Sequence, residues 1–163
     1  MRLVLDADAL IKLNRAGVLL LIAETFECVI PDEVYREAVI NGKKRGYPDA
    51  EEIDKVIEAG MEVISVAPVP RRYAGLDAGE SAVLSLVSRE ETQIVVSDDR
   101  QFVNLLSRAG IPYLVPAALI VAMAQQQILT KTGARDALDR MRPWIRDSSY
   151  MEALQGLEKL ETL

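Results

Sequence analysis

The 163-residue chain is 50% hydrophobic and 27% charged, with a formal net charge of −6. This composition is typical of one globular domain and is too apolar for a disordered chain. The net acidity argues against broad electrostatic capture of nucleic acid, although two basic clusters, at 42–46 and 70–72, depart from it. The chain has no histidine, which excludes serine-histidine triads, histidine general bases and most zinc sites.

Cysteine content and apolar runs bear on the compartment of the protein. The single cysteine, Cys28, cannot form an intramolecular disulfide, and its apolar neighbours predict a buried thiol in a reducing cytoplasm. Acidic residues interrupt the apolar N-terminal stretch, unlike in a signal peptide. The longest apolar run, 111–124, contains Pro116 and is shorter than the ~20 residues that span a bilayer. We therefore expect a cytoplasmic protein with no membrane partner.

Strands and helices are predicted to alternate through the first 116 residues. Apolar runs predict five strands, at 2–6, 28–31, 61–66, 92–98 and 111–116. Helical periodicity fills the intervals, at 8–24 with a break at Gly17, 31–41 ending at Gly42, 49–60, 77–90 and 99–110. This alternation predicts an α/β fold with three layers (α/β/α) and a mostly parallel central sheet of about five strands.

The pattern after residue 116 is wholly helical. We expect three helices in this tail, at 117–130, 132–147 and 148–163. The last should begin at a serine cap, Ser148 or Ser149, and align Leu154, Leu157 and Leu160 on one face. Since no repeat or linker divides the chain, we predict a single domain over 1–163, with a core at about 1–116 and C-terminal helices at about 117–163.

Acidic residues follow two of the predicted strands. Asp6 ends the first strand, and Asp98 and Asp99 end the fourth. Because sites in open parallel sheets form outside the carboxyl ends of the strands, these side chains should face one rim. Glu80, at the start of the helix before strand four, and Glu37, on the helix after strand two, are expected near the same rim.

Carboxylates gathered at one rim stay ionised together only when positive charge lies among them. A divalent cation is the simplest source of that charge. Oxygen ligands and the lack of histidine favour Mg²⁺ or Mn²⁺. Such an ion activates water and stabilises charge on a phosphoryl group, which is the chemistry of metal-assisted phosphodiester hydrolysis.

Each acid also has a purely structural explanation. Asp6 and Asp8 could cap the first helix, and one of the aspartates at 98–99 is needed to cap the helix that follows. Glu80 could simply complement a helix dipole, and Glu37 could belong to a solvated face. The functional interpretation depends on the set of acids rather than on any one of them.

Four segments, in this order and spacing, resemble the PIN domain family. They are "LDAD" at 5–8, "IPDEVYREAV" at 30–39, "LDAGESAVLSLV" at 76–87 and "VVSDDRQF" at 95–102. The helical tail is similar to that of the shorter PIN-like proteins of bacteria and archaea. The resemblance implies a ribonuclease that depends on Mg²⁺ or Mn²⁺ and cleaves RNA, often as the toxin of a toxin–antitoxin pair. It also implies a cognate antitoxin and a homodimer.

The resemblance assigns roles to five acidic residues. The catalytic set is Asp6, Glu37, Glu80 and Asp99, and the metal ligands are Asp6, Glu80, Asp98 and Asp99. Asp6 and Asp99 would hold the ion, Glu80 would help directly or through a water, and Glu37 would orient or activate the attacking water. Two positions depart from the family: Glu80 is one methylene longer than the usual aspartate, and Asp98 replaces a residue that is often neutral.

Further polar residues complete the predicted site. Asp8 stands where the family has a small polar residue, which makes the site more acidic than usual. Ser97 could hydrogen-bond a carboxylate or the scissile phosphate. Candidate phosphate contacts are Arg100, Lys12, Lys43, Lys44 and Arg45. Lysine and arginine side chains at such positions are also expected if they contact only solvent.

Two alternative functions stay open at this point. In a haloacid-dehalogenase-like phosphatase, Asp6 would be the nucleophile and Asp8 the acid/base. Against it, Leu10 occupies a position where that family has threonine or valine, and no lysine motif precedes strand four. The other alternative is a non-catalytic PIN-fold interaction protein, with Trp144 and the leucine stripe of the tail as a dimer or partner surface.

Overall fold

Five strands form one parallel sheet in the computed structural model, which describes residues 1–67, 75–88 and 93–160. The strands are β1 Arg2–Leu5, β2 Glu27–Pro31, β3 Met61–Ile64, β4 Gln93–Val96 and β5 Tyr113–Leu114. Their order across the sheet is β3-β2-β1-β4-β5. Helices cover both sides of the sheet, so the predicted three-layer α/β/α fold is confirmed.

The strand order places a topological switch point between β1 and β4. From β1 the chain builds the sheet outward through β2 and β3, and β4 and β5 then extend it on the other side. Leu5 at the end of β1 pairs with Val96 at the end of β4. Crevices outside the carboxyl ends of strands at such a point are the usual ligand sites of open α/β sheets. Asp6 and the segment 97–99 both lie at this crevice because they directly follow these strands.

Two short helices follow β1, with a break where the sequence predicts one. They are α1 Ala7–Arg15 and α2 Leu19–Thr25. Gly17 has a φ of +75°, a conformation that glycine adopts at little cost. The predicted break at Gly17 is confirmed.

The helical segment after β2 continues past Gly42, so the end predicted at that residue is wrong. It consists of α3 Asp32–Tyr35, a π-helical stretch Arg36–Asn41 and α4 Gly42–Lys44. Gly42 keeps a helical φ of −61°, and the turn comes at Gly46, with a φ of +72°. A Cβ at position 42 would lie 2.8 Å from the Cβ of Ala50, in helix α5 (Pro48–Gly60). Gly42 therefore permits close helix packing rather than ending a helix.

The two helices on either side of β4 agree with the predictions as far as the structure describes them. They are α6 Ala78–Val87 and α7 Arg100–Arg108. The end of the predicted helix 77–90, the first residue of the predicted strand 92–98 and the basic cluster 70–72 lie outside the described residues.

The tail forms three helices whose bounds differ from those predicted. They are α8 Pro116–Gln125, α9 Lys131–Met141 and α10 Asp147–Glu158. The helix predicted over 132–147 ends early because Pro143 imposes a short 3-10 turn, Arg142–Trp144. The predicted serine cap is also wrong: α10 begins at Asp147, one residue before Ser148, and the preceding Arg146 makes no side-chain cap.

One hydrophobic cluster joins the sheet, its helices and the tail. Leu10 of α1, Ile120 of α8 and Leu138 of α9 are fully buried members of it. Leu157 is buried in the same cluster and Leu154 packs against it, as expected of a leucine stripe on one helix face. Leu160 also packs against the cluster but lies beyond the end of α10, so it is not part of that face. Within the described ranges, no helix is long and apolar enough to cross a membrane.

We expect Leu138→Ala to destabilise the whole chain by about 2–5 kcal/mol, because it leaves a cavity in the shared core. Urea unfolding followed by Trp144 fluorescence, which reports on the tail, and by far-UV circular dichroism should give coincident transitions. The exposed Glu152→Ala is the control and should change stability by less than about 0.5 kcal/mol. Separate transitions would contradict the single-domain prediction.

Candidate functional site

A cleft of about 650 Å³ opens at the switch point between β1 and β4. Seven carboxylates line it: Asp6, Asp8, Glu37, Asp77, Glu80, Asp98 and Asp99. The five acids to which the family resemblance assigns roles are all among them. Their catalytic and metal-binding roles stay predictions, whereas their common location is a feature of the structure.

Asp6 is the most deeply buried acid of the cleft, with 4% of its surface exposed. Its Oδ1 accepts a hydrogen bond of 2.8 Å from the backbone N–H of Ala9, so Asp6 does cap α1. Burial raises the pKa of Asp6 to about 7, and repulsion from Asp8 and Glu80 adds to this, whereas hydrogen bonds from Ser97 and Ala9 oppose it. Asp6 is therefore both a helix cap and a carboxyl group that easily retains its proton.

Asp98 and Asp99 are adjacent in sequence but have different partners. Asp99 caps α7, because its Oδ1 accepts a 2.8 Å hydrogen bond from the backbone N–H of Phe102. The Asp98 carboxylate, 4% exposed, accepts a 2.6 Å hydrogen bond from Lys12 Nζ and lies 4.0 Å from Arg146 Nη2. The two like charges stand side by side because one meets a helix N-terminus and the other meets cations.

Lys12 places a positive charge inside the acidic cluster. Its Nζ lies 2.6 Å from Asp98 Oδ2 and 2.8 Å from Asp8 Oδ2. Burial opposes the charge on Lys12, but the hydrogen bonds to these two carboxylates outweigh it and raise the pKa of Lys12. Lys12 was predicted as a phosphate contact, and in this structure it is a counter-ion for two carboxylates.

Glu80 and Asp77 form a capping box at the start of α6. Asp77 Oδ1 accepts a 2.7 Å hydrogen bond from the backbone N–H of Glu80, and Glu80 Oε2 accepts one of 3.2 Å from the backbone N–H of Asp77. Burial raises the pKa of Glu80 to about 7, with further contributions from Asp77, Asp99 and Glu37. The sequence analysis missed Asp77 as a site residue, although the spacing of the capping box in "DAGE" could have indicated it.

Glu37 reaches the cleft from the π-helical stretch, a distortion often found at functional sites. Burial and repulsion from Asp77 and Asp8 raise the pKa of Glu37. Its Oε2 packs against the backbone of Gly79. A Cβ added at position 79 would lie only 2.8 Å from this oxygen. Glycine at position 79 therefore makes room for the Glu37 carboxyl group.

The predicted phosphate contacts fall into two groups. Arg100 lines the cleft beside the acids. Lys43, Lys44 and Arg45 are exposed and do not line it. Lys43 pairs with Asp54, which also accepts a 2.9 Å hydrogen bond from the Tyr35 hydroxyl.

The ligands that the cleft offers are carboxylate oxygens, which are chemically suited to a hard divalent cation. Over residues 1–67, 75–88 and 93–160, however, no three acidic or thiol side chains stand close enough to hold one ion together. The oxygens of Asp6, Asp77 and Asp99 bind helix N-termini, and that of Asp98 binds Lys12. Metal binding thus requires these side chains to move closer together, and requires Asp98 to exchange Lys12 for the ion.

The tail supplies one wall of the cleft, which the sequence analysis did not foresee. Pro143, Trp144, Ile145 and Arg146 line it together with the acids. No local motif marks these residues, because their position depends on the packing of α9 against the N-terminal helix α1.

We expect the metal-free protein to lose stability as the pH rises from about 5 to about 8. The pKa values of Asp6 and Glu80 are raised from 3.8 and 4.5 to about 7 in the folded chain. Because the folded chain then binds these protons more tightly than the unfolded chain, the contribution is complete below about pH 4 and is lost as the pH rises through 7.

The measurement for this prediction is the free energy of urea unfolding in EDTA across that pH range. Asp6→Asn keeps the cap acceptor but cannot titrate, so its stability should fall less steeply with pH than that of the unaltered protein. Parallel slopes for the two proteins would contradict a raised pKa at Asp6.

Comparisons with known proteins agree with this architecture. Comparison with curated proteins gives no match. Among solved structures, the chain is similar to a PilT N-terminus domain protein of the archaeon Sulfolobus solfataricus P2. The TM-score is 0.53 and the identity 14%, over 100% of this chain and 98% of that one, a likeness of fold alone. A sequence model described as a PIN domain matches residues 2–159, and the chain therefore belongs to the PIN domain family.

Proposed function

We propose that the protein is an endoribonuclease that depends on Mg²⁺ or Mn²⁺ and hydrolyses RNA phosphodiester bonds in the acidic cleft. The observation that carries this proposal is the convergence of five predicted acids, from separate segments of a PIN domain, on one cleft at a topological switch point. PIN domains are typically nucleases. The phosphatase alternative has no support from the family that matches.

Asp6, Glu80 and Asp99 are the proposed ligands, with Asp98 as a fourth once Lys12 releases it. A divalent cation bound there would lower the pKa of a water molecule and stabilise negative charge on the phosphate. A positive charge among these carboxyl groups would offset the burial and repulsion that raise the pKa values of Asp6 and Glu80, and would favour their ionised forms. Burial of Asp6 would keep one ligand in a fixed position for the others to join.

Glu37 is the proposed acceptor of the proton from the attacking water. It lies in the same cleft, is partly buried and has a raised pKa. A general base is most effective when its pKa lies near the pH at which the enzyme works, and the raised pKa of Glu37 is a shift in that direction. As the water oxygen bonded to phosphorus, its proton would pass to the Glu37 carboxylate. The bond between phosphorus and the leaving ribose oxygen would break, and that oxygen would take a proton from solvent. Gly79 supports this role by leaving space for the carboxyl group.

Cations at the cleft would offset repulsion between the acids and an RNA phosphate. Arg100 and Arg146 line the cleft and present guanidinium groups, which suit phosphate oxygens. Lys12 could join them once an ion replaces it beside Asp98 and Asp8. The chain thus supplies positive charge on the side from which RNA would approach.

The wider proposal follows the family. We place the protein in the cytoplasm as a homodimer and as the toxin of a toxin–antitoxin pair, with a cognate antitoxin as its partner. The buried free thiol of Cys28 supports a reducing compartment. Self-association and the antitoxin rest on the resemblance alone.

One observation favours a second function, that of a PIN-fold protein without nuclease activity. Lys12 already neutralises Asp98 and Asp8, as a built-in counter-ion would. In such a protein the carboxylates would stabilise the fold through helix capping and ion pairing only. Metal binding separates the two functions, because only the nuclease requires it.

The purified protein should cleave labelled single-stranded RNA in Mn²⁺ but not in EDTA. Asp6→Asn should abolish this cleavage, and Glu37→Gln should lower its rate by ~10²–10⁴-fold, the usual effect of losing a general base. Asp136→Asn is the matched control, since it makes the same change at an exposed position outside the cleft. Equal cutting by Asp6→Asn would indicate a contaminant, and no cutting in any metal would favour the non-catalytic function.

Lys12→Met should increase the stabilisation of the protein by Mn²⁺. The substitution frees Asp98 and Asp8 for the ion and leaves Asp98 buried without its closest cation, so the metal-free melting temperature should fall. Adding Mn²⁺ should then raise it by more than in the unaltered protein. Lys55→Met, at an exposed site, should change neither value. An unchanged response to Mn²⁺ in Lys12→Met would remove Asp98 from the ligand set.

A further inference from the structure

The single tryptophan of the chain stands at the rim of the acidic cleft. Trp144 lines the cleft with its neighbours Pro143 and Ile145, yet 46% of its surface is exposed. Most large hydrophobic side chains of the described residues are buried in the core, where they stabilise the fold. Its indole therefore lies where a molecule bound in the cleft can contact it.

The Trp144 ring is held in place by a chain of contacts. The Arg15 guanidinium carbon lies 4.3 Å from the ring centroid, in a cation–π contact. Arg15 is itself fixed by Asp49, whose Oδ2 accepts hydrogen bonds of 3.1 Å from Nε and 3.0 Å from Nη2. Pro143 restricts the backbone of the turn that carries the indole. The ring is therefore preorganised, with a cation over one of its faces.

We propose that Trp144 is a stacking platform for an unpaired base of the RNA substrate. This inference rests on the proposed function and assigns to its cleft a base-binding subsite. The exposed part of the ring would take the base, and the Arg15 guanidinium would support the ring from the covered face. Aromatic platforms of this kind bind single-stranded nucleic acid because every base has a flat surface to stack.

Arg146 connects the platform with the acids. It follows Trp144 by two residues and lines the same cleft, and its Nη2 lies 4.0 Å from Asp98 Oδ1. Its side chain is 48% exposed, so its remaining donors can meet a phosphate. A base on Trp144 would thus share the cleft with a guanidinium group that approaches the carboxylates and can bind a phosphate of the same strand. This charge arrangement favours a nucleotide over an apolar protein segment.

The geometry selects a class of RNA. In a duplex the bases already stack on each other, so a base reaches an aromatic side chain only from a single strand, a loop or an end. Stacking alone distinguishes poorly among bases. The platform should therefore confer a preference for unpaired RNA, with little sequence preference of its own.

The first arm of the test uses the intrinsic fluorescence of Trp144, which is free of interference because the chain has no other tryptophan. The protein is titrated in EDTA, so that binding is measured without cleavage. A short single-stranded RNA should quench the fluorescence. An abasic strand of the same length, and a duplex of the same sequence, should quench it far less. Equal quenching by the abasic strand would overturn the proposal.

The second arm measures the affinity of variants for labelled RNA by fluorescence anisotropy, again in EDTA. Trp144→Ala should raise Kd by roughly 5- to 150-fold, the range for loss of one stacked base. Trp144→Phe keeps a ring and should recover most of the affinity. Tyr47→Ala removes an aromatic side chain of similar exposure away from the cleft and should leave Kd unchanged. Circular dichroism verifies the fold of each variant.

The outcomes separate this inference from the proposed function. Binding that depends on Trp144, without cleavage in any metal, would support the platform and refute the nuclease. Cleavage with the same KM in Trp144→Ala and the unaltered protein would refute the platform alone. If Trp144→Ala dissociates a dimer in sedimentation experiments and leaves Kd for RNA unchanged, the indole is a contact between copies of the chain and the proposal fails.

Discussion

Repulsion among carboxylates at the gap between β1 and β4 is the constraint to which the rest of the site conforms. Seven acidic side chains share one cleft there, and burial of the Asp6 and Asp98 side chains removes water that would otherwise screen their charges. The fold reduces this repulsion in three ways. Helix N-termini bind the oxygens of Asp6 and Asp99, the Lys12 ammonium neutralises Asp98, and the raised pKa values of Asp6 and Glu80 favour their protonated forms.

In the proposed nuclease, these contacts would also limit how strongly the cleft binds a metal. Each oxygen that caps a helix or pairs with Lys12 is engaged, and an ion gains only the difference between its own contacts and those it displaces. Lys12 is the largest competitor, because its charge lies within 2.8 Å of both Asp8 and Asp98. The charges of Asp8 and Asp98 are thus largely compensated by one residue of α1.

Local signals were enough to predict the sheet and the location of the acids. Apolar runs that end in aspartate mark β1 and β4, and parallel strands bring their carboxyl ends to one edge. What failed depended on distant contacts. Gly42 does not end a helix, because it packs against Ala50 of another helix, and the partner of Asp98 is Lys12, which lies 86 residues away in sequence. The Trp144 wall depends on tail packing that no local pattern encodes.

An acidic protein that binds RNA has to obtain affinity from something other than net charge. With a formal charge of −6, long-range attraction of phosphates is weak, and the cleft itself adds seven carboxylates. Stacking of a base on Trp144, as proposed, would not require a positive field, and Arg146 adds positive charge within the cleft itself. In the proposed nuclease, an aromatic contact would supply affinity and a few cations would supply position. This arrangement would reconcile the acidic cleft with an anionic substrate, because stacking adds no positive charge to the carboxylates.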